Sequence, residues 1–328
     1  MTTLAVSPSM EEVLRPVDVR RDLPGIAHLV EMCFGDVLDE SGRAAIREMR
    51  ALSRSGPLLW LLPHFPGGGP AWQHGFVYTH AGQLIGNVGA QPADSGRDAW
   101  LLANVAVHPD WRRKGIGRQL VLAAVARAAH EGAQRVVLQV DADNVDAIKL
   151  YEQLGFDTLT VRTTWRRSQN RPPVAAPMPA GIELRPALRS EWSLEHALLH
   201  QFRPQGLTWT SPLQVGQLRP SLGRILGHFF NGRSEERWLA FWSGEAVAWL
   251  YVLWSAGTAD QIRWIIIPQC SGGVEQALLT HGLRRLGHRR CDVWIEHPDG
   301  EADALLQQYS FKPTRTLRWM QLDLSRCD

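Results

Sequence analysis

The stretch VAVHPDWRRKGIGRQLV, residues 105–121, decides the fold because it joins an apolar strand to a helix through a basic turn that contains two glycines. Pro109 ends the strand, and apolar residues at helical spacing predict a helix over residues 117–130. A helix N-terminus attracts anions through its unpaired N–H groups, and glycine lets a ligand approach the backbone closely. The turn is neither a P-loop nor a dinucleotide fingerprint, and its pattern alone fits a phosphate-binding turn and a plain charged turn equally well.

The bulk composition predicts a globular protein of two domains, because 328 residues exceed one ordinary core. Hydrophobic residues make up 45% of the chain and charged residues 21%, which is typical of soluble proteins. The net charge of +2 gives no overall attraction to nucleic acid or to a membrane, so an electropositive site has to be local. Three basic residues in one turn do not make the broad basic stripe of a nucleic-acid-binding protein.

The cysteines and the N-terminus predict a cytoplasmic protein without a metal site. Cys33, Cys270, Cys291 and Cys327 lie far apart and form no CxxC pair, which argues against zinc and against a disulfide framework. The N-terminus is too polar for a signal peptide, and no apolar run reaches the length of a membrane span. We therefore expect a chain that is not bound to a membrane.

Three pairs of similar segments, in the same order, predict a duplicated domain. LRPVDVRRDLPGIAHLVEMCF begins at Leu14 and resembles LRPALRSEWSLEHALLHQF at Leu184. HAGQLIGNV resembles WSGEAVAWL, and LYEQLGF resembles LLQQYSF. The proline-rich stretch of residues 168–181 has no apolar periodicity and predicts a stiff linker. The expected domains are therefore residues 1–167 and residues 182–328.

The first half predicts alternating strands and helices, which is the pattern of an α/β layered domain. VLRPV and AWLLANVAVHP are expected strands, and GFVYTHAGQLIGNVGAQPA is an expected hairpin that turns near Ala81 and Gly82. RVVLQVD is a strand buried on both faces. Further helices are expected over residues 23–34, 41–52 and 144–154, and a last strand over residues 159–166.

VAVHPDWRRKGIGRQL closely resembles the acyl-CoA-binding motif of the GNAT superfamily of N-acetyltransferases, whose core Arg/Gln-x-x-Gly-x-Gly/Ala reads RRKGIG at residues 112–117. A second signature of that family, NVDAIKLYEQLGF, follows at residues 144–156. The resemblance covers residues 14–167. Together with the duplication it implies an α/β (α+β layered) fold of two tandem GNAT-like domains, each a mixed, mostly antiparallel sheet flanked by helices.

The resemblance also implies a site for acetyl-CoA, the expected co-substrate. The strand NVAV would splay from the strand VVLQV, the backbone of Val105 and Val107 would pair with the pantetheine amides, and the Val105 N–H would polarise the thioester carbonyl. Asn144 would contact the pantetheine arm, and Tyr151 would protonate the leaving thiolate. The pyrophosphate would lie on the N–H groups of residues 113–118. The implied CoA-binding residues are Val105, Ala106, Val107, Arg112, Arg113, Lys114, Gly115, Ile116, Gly117, Arg118, Asn144 and Tyr151.

The implied reaction moves an acetyl group to a primary amine of a small molecule or a peptide, by direct attack in a ternary complex. The alternative is a non-catalytic acyl-CoA-binding or sensing protein. Tyr151 itself has a second interpretation, as a surface residue of an amphipathic helix. Residues 102–104 contain no carboxylate to act as a general base, so we expect deprotonation through ordered water. Trp60 and Trp72 are equally well interpreted as walls of an acceptor pocket or as core anchors.

The second half predicts a degenerate copy of the same domain. Aligned at Pro109 and Pro268, its turn contains no basic residue as far as Leu279, and VEQ at residues 274–276 replaces the Gly-x-Gly. Leu306 stands where the first half has Tyr151. We therefore expect one acetyl-CoA per chain, bound by the first half.

Overall fold

A computed structural model describes most of the chain and divides it into two compact units. One unit comprises the described residues within Met1–Gln139, Val145–Asp157 and Met320–Asp328, and the other those within Val140–Asn144 and Thr158–Trp319. The predicted domains follow sequence likeness rather than compactness, and their boundaries stay a prediction. The described residues are 12–35, 43, 46–47, 49–51, 74–93, 98–168, 176–202, 233–255, 259–270 and 272–326.

Unit 1 is a five-stranded sheet with helices, in the order β1-β2-β3-β4-β5. Its strands pair antiparallel, except that β4 and β5 are parallel. A parallel pair requires a crossover, and helix α2 provides it. The elements are β1 (Glu12–Pro16), α1 (Val19–Phe34), β2 (Phe76–His80), β3 (Gln83–Pro92), β4 (Ala99–Val107), α2 (Ile116–His130), β5 (Arg135–Asp141) and α3 (Val145–Gln153).

Unit 2 repeats this arrangement and extends it by two strands, in the order β12-β6-β11-β10-β9-β8-β7. Strands β10 and β11 are parallel, as β4 and β5 are, and β6 pairs antiparallel with β11. The elements are β6 (Asp157–Arg167), β7 (Ile182–Pro186), α4 (Trp192–Phe202), β8 (Arg233–Trp242), β9 (Glu245–Ser255), β10 (Asp260–Ile266), α5 (Gly273–Arg285), β11 (Val293–Pro298), α6 (Asp303–Gln308) and β12 (Lys312–Asp323).

Local contacts repeat between the units at the positions where their sequences resemble each other. The β2–β3 hairpin turns through Ala81 (φ 47°) and Gly82 (φ 78°), and the β8–β9 hairpin turns through a Ser-Gly pair with φ 52° and 85°. Two successive positive φ angles are the signature of a type I′ turn, which matches the twist of a hairpin. Arg15 forms a bidentate ion pair with Asp22, and Arg185 forms one with Glu191.

The predicted elements agree with the described ones to within a few residues, with one larger difference at the start of α1. The apolar periodicity begins at Leu23, whereas the helix begins at Val19 because the Asp18 side chain caps it by accepting from the Arg20 N–H at 3.0 Å. The described residues of the expected helix over 41–52 are helical, and Ile46 and Met49 are buried in the core beside α1.

Several tryptophans of unit 2 pack in its core. Trp165 and Trp249 are almost fully buried, and the Trp249 ring stacks on Tyr251. Across the part of the chain that the structure describes, no helix is long and apolar enough to cross a membrane.

Candidate functional site

The C-terminal ends of β4 and β5 part from each other in unit 1. The parallel ladder joins residues 99–102 to residues 135–138 and extends no further between these two strands in the described chain. Strand β4 nevertheless stays paired with β3 as far as Val107. Backbone groups of β4 over residues 103–107 are therefore held in a strand whose second edge is not paired with β5, and this is the opening that the pantetheine prediction requires.

A β-bulge re-aims β4 within this opening. One extra residue between Ala103 and Ala106 shifts the register of β4 against β3. Asn104, inside this interval, has φ 53°, and its carbonyl oxygen accepts a hydrogen bond from Asn87 Nδ2 at 3.0 Å. Bulges redirect the residues that follow them. The bulge therefore determines the direction of the Val105 peptide, the expected oxyanion donor.

The basic turn leads from β4 into α2 through two left-handed residues. A 3₁₀ turn over Pro109–Trp111 is followed by Arg113 (φ 66°) and by Gly115 (φ 79°), which caps α2. A Cβ at Gly115 would meet no atom within 4 Å, so the position has room for a side chain. Glycine is favoured here because the backbone is left-handed. Gln119 N, the first intrahelical donor at the cap, bonds Gly115 O at 3.1 Å. The N–H groups before it are those that a helix leaves for an anion.

Arg112 packs against β4. Its Nε donates to Val107 O at 3.2 Å, and Cys33 Sγ lies 3.5 Å from the same oxygen. Both contacts involve the Val107 carbonyl oxygen, and the expected pairing of the Val107 backbone with pantetheine stays a prediction. Arg112 Nη2 also lies 3.9 Å from Cys33 Sγ. It therefore joins the turn to β4 and to the end of α1.

Two other basic side chains of the turn remain exposed. Arg113 Nη1 lies 2.8 Å from Asp146 Oδ2 in α3, and both side chains are largely exposed. Such a pair is worth little in water, so an anionic ligand competes for Arg113 at small cost. Lys114 Nζ lies 4.1 Å from the centre of the Trp111 ring. Arg118 is exposed in the first turn of α2. The turn thus presents positive charge to solvent.

Gly117 brings the start of α2 against α3 and β4. A Cβ at this position would lie 3.4 Å from Leu150 Cδ2 and 3.8 Å from Val107 Cγ2. The first turn of α2, the end of β4 and the helix that carries Tyr151 are therefore neighbours. Ile116, between the two glycines, is buried in the core, which leaves its backbone as the part available to a ligand.

Tyr151 is a buried residue rather than part of a solvated helix face. Its side chain is 5% exposed and lies against Phe156, with ring centroids 5.8 Å apart. Burial raises the pKa of the Tyr151 phenol above its usual range, because the phenolate would lose its hydration. The hydroxyl is therefore protonated throughout the neutral pH range. That is the state that a proton donor requires.

Asn144 lies directly before α3, with an exposed side chain and a backbone N–H that donates to Asp141 O at 3.0 Å. Its expected contact with pantetheine stays a prediction. Trp60 and Trp72 lie outside the described residues, so both of their interpretations, as walls of an acceptor pocket or as core anchors, stay predictions. Sequence reasoning missed the roles of Asn87, Cys33 and Asp146, because each acts through a partner far away in the chain.

The corresponding turn of unit 2 keeps a glycine cap, which corrects the predicted alignment. Gly272 (φ 93°) precedes α5, and Gln276 N bonds Gly272 O at 3.1 Å, as Gln119 bonds Gly115. Gly272, not Val274, thus occupies the capping position. Five residues separate Pro109 from Gly115, whereas three separate Pro268 from Gly272. The shorter turn lacks the segment that carries the basic side chains.

A buried polar cluster fills the end of β10 in unit 2. Trp264 lies four residues before Pro268, as Val105 lies before Pro109. Its Nε1 donates to Glu275 Oε1 at 2.8 Å, and its ring centre lies 5.1 Å from that of His297. Burial raises the pKa of Glu275 and lowers that of His297 to about 4. Large side chains thus occupy the position at which the first half has a valine.

The position of Tyr151 in unit 1 corresponds to that of Leu306 in unit 2. Phe156 N donates to Tyr151 O at 3.0 Å, and Phe311 N donates to Leu306 O at 2.9 Å. The residue before each phenylalanine has a positive φ, 87° and 64° respectively. These are equivalent helix C-termini. Unit 2 therefore has an aliphatic side chain where unit 1 has a phenol.

Comparison with known proteins identifies the family of the first half. The model of the Acetyltransferase (GNAT) family matches residues 48–156. The mycothiol acetyltransferase of Thermobispora bispora is 38% identical over 96 residues, which cover 28% of this chain and 32% of that protein. The ribosomal protein bS18-alanine N-acetyltransferase of Escherichia coli K12 is 40% identical over 68 residues, 21% of this chain and 46% of that protein. The matched segments span less than half of either relative.

A solved structure extends the likeness of fold to the whole chain. A tandem GNAT protein from the clavulanic acid biosynthesis pathway matches 95% of this chain and 98% of its own, with a TM-score of 0.56 and 14% sequence identity. At that identity the match shows the fold. It confirms the prediction of an α/β fold with two tandem GNAT-like domains. Residues 48–156 are therefore a domain of the GNAT acetyltransferase family, within a chain that has the fold of a tandem GNAT protein.

Proposed function

We propose that the protein is an acetyl-CoA-dependent N-acetyltransferase that acts on a primary amine of a small molecule or a peptide. The observation that carries this proposal is the close approach of α2 to α3 and β4 at Gly117. It brings the anion-binding N-terminus of α2, the parted end of β4 and the helix of Tyr151 together in unit 1. Domain boundaries at residues 167 and 182, and a cytoplasmic location, are parts of the same proposal.

In this proposal the α2 N-terminus holds the pyrophosphate of coenzyme A. The N–H groups of residues 113–118 supply donors, and Arg113 and Lys114 supply positive charge. Arg112 acts differently, because its contacts with Val107 and Cys33 hold the turn against β4. The edge of β4 at Val105 and Ala106 and the side chain of Asn144 face the pantetheine arm.

The chemistry is a direct attack by the amine on the thioester. The amine nitrogen bonds to the acetyl carbon, the carbon–sulfur bond breaks, and the thiolate takes a proton from Tyr151. The nitrogen loses its extra proton to water as the amide forms, and Tyr151 regains a proton from water. The Val105 N–H stabilises the charge on the carbonyl oxygen. An alkyl ammonium first loses a proton, which costs about 4–5 kcal/mol at pH 7. Residues 102–104 offer no carboxylate for this step, so the proton passes to water.

The name of one relative, an alanine N-acetyltransferase, supports a nitrogen acceptor, and the two names together select no class of acceptor. One is named for mycothiol, and the other for an alanine of a ribosomal protein. The decisive experiment is a screen of small amines and peptides with the full chain, with free thiol release as the readout. We expect release with at least one amine. Tight acetyl-CoA binding without release with any amine would favour the alternative, a non-catalytic acyl-CoA-binding protein.

The raised pKa of Tyr151 predicts the pH dependence of the reaction. The phenol stays protonated from neutral pH up to about pH 9, because its pKa lies above the usual phenol value of about 10. We therefore expect no loss of activity from its ionisation over this range. Over the same range kcat/KM rises with pH, since more of the acceptor is a free amine. A pH–rate profile with the best amine checks this. A fall in rate between pH 7 and 9 that Tyr151→Phe removes would contradict it.

We also predict one tight acetyl-CoA site per chain. Unit 2 has the shorter turn without basic residues and has the Trp264 cluster at the end of β10. A helix N-terminus alone contributes only about 0.3–1 kcal/mol to anion binding at an exposed site. Calorimetric titration of the full chain is expected to give a stoichiometry near one. Two tight sites would show that unit 2 also binds.

A further inference from the structure

Asn87 carries a buried oxygen beside the proposed site. The residue is 1% exposed, and in the part of the chain that the structure describes its Oδ1 has no hydrogen-bond partner. Buried acceptors are rarely left unpaired, because desolvation without a hydrogen bond is costly. The atom therefore calls for a donor from outside the described residues, and water and a ligand are both such donors.

The orientation of the Asn87 amide follows from its other contact. The Asn104 carbonyl oxygen lies 3.0 Å from the amide and can only accept, so the group that faces it is the NH₂. This bond reaches the β-bulge directly before Val105. The oxygen of the same amide consequently points away from the Asn104 carbonyl. A flipped amide would bring two oxygens together.

Strand alternation places Asn87 on the face of the sheet opposite α2. A Cβ at Gly86 would lie 3.0 Å from Ile116 and Leu120 of α2, so Gly86 faces that helix. Successive strand residues point to opposite faces. The pyrophosphate turn is at the α2 N-terminus, so the Asn87 side chain lies on the face that this turn does not cover. Its partner on β2, Val77, packs with α1, so α1 covers this face and an amine would have to reach Asn87 from the opening at residues 103–107 of β4.

We infer that Asn87 Oδ1 accepts a hydrogen bond from the attacking amine and holds it at the thioester beside Val105. The inference rests on the proposed function and deepens it. An amide oxygen does not take a proton at neutral pH, so Asn87 orients the amine while the proton passes to water. Since β4 has no carboxylate at residues 102–104, this neutral acceptor is the side-chain group next to the bulge that orients a nucleophile.

The test uses Asn87→Ala in the full chain, with an amine found by thiol release. Removal of one hydrogen bond to the amine is expected to raise its KM about 10-fold or more, the equivalent of about 1.4 kcal/mol. The Kd of acetyl-CoA, measured by calorimetry, is expected to change less than about two-fold. Thr79→Ala is the matched control, since Thr79 is also buried and its hydroxyl lies 3.4 Å from the Val13 carbonyl oxygen on β1. It should leave the amine KM unchanged.

Asn87→Asp gives a second measurement if the alanine variant does not fold. Its protonated form keeps both a donor for Asn104 O and an acceptor for the amine, whereas its ionised form loses the donor. The amine KM of this variant is expected to gain a pH dependence in addition to the one that ionisation of the amine gives the wild type. Unchanged amine KM values in both variants, or an equal rise in Thr79→Ala, would overturn the inference. Wild-type protein that releases no thiol with any amine would overturn the proposed function as well.

Discussion

Tyr151→Phe is expected to lower turnover by about 100-fold or more, the usual scale for the loss of a general acid. The substitution keeps the buried ring and its contact with Phe156 and removes only the hydroxyl. Acetyl-CoA affinity should therefore stay nearly unchanged. The leaving thiolate, with a usual thiol pKa of about 8.5, needs a proton or a strong hydrogen bond, and no other phenol is part of the proposed site. Single-turnover kinetics and calorimetry measure the two effects separately.

The raised pKa of Tyr151 affects how this role is carried out. Burial makes full proton transfer from the phenol harder, but it also destabilises the thiolate that leaves in the same site. Hydrogen bonding to a thiolate in a dry site is stronger than in water. Tyr251→Phe is the control, because Tyr251 is also buried, its pKa is also raised by burial, and its hydroxyl bonds Glu235 in unit 2. Unchanged single-turnover rates in Tyr151→Phe would exclude the donor role.

Charge reversal of the exposed turn, Arg113→Glu with Lys114→Glu, is expected to weaken acetyl-CoA binding roughly 30-fold or more. Each lost charge-assisted hydrogen bond to phosphate is worth about 1.5–3 kcal/mol. The new Glu at 113 would also lie next to Asp146 and add like charge where phosphate binds. Because both side chains are exposed, the loss should be largest at low salt. Calorimetry at two ionic strengths checks both statements.

The control for this variant changes the same amount of charge elsewhere. Arg21, in the first turn of α1, and Arg127, in the last turn of α2, are exposed, and their joint reversal to glutamate alters the net charge equally. It should leave acetyl-CoA affinity within about two-fold, since a Debye length is about 8 Å at physiological salt. Near-wild-type affinity in Arg113→Glu/Lys114→Glu would contradict the assignment of the turn to the pyrophosphate. An equal loss in the control would attribute the effect to overall charge.

Sequence alone predicted the features that depend on neighbouring residues. The strand, turn and helix of residues 105–121, the hairpin through Ala81 and Gly82, and the helix end at Gly155 each follow from backbone preferences over a few positions. The motif residues were recognisable for the same reason, since the family resemblance lies in short contiguous segments. The duplication was visible because equivalent turns and helix ends need similar residues in both halves.

Only the tertiary structure decided the features whose partners are distant in the chain. The Asn104 bulge depends on Asn87, and Arg112 is held by Val107 and by Cys33, 79 residues away. Strand β6 follows the first half in sequence yet pairs with β11, more than a hundred residues later. In unit 2 the Trp264 cluster likewise joins side chains from β10, α5 and β11.

The physical reason is that local preferences determine which element a segment forms, whereas burial determines what that element packs against. A strand such as β6 has the same local preferences in either unit. Its pairing therefore depends on which sheet edge offers backbone hydrogen bonds and which core buries its apolar face. A buried polar atom is satisfied by whichever partner the packing brings within reach. The sequence by itself therefore determined the basic turn before α2 and the helix that carries Tyr151. The tertiary structure decided that these lie together and that Arg112 and Asn87 support them.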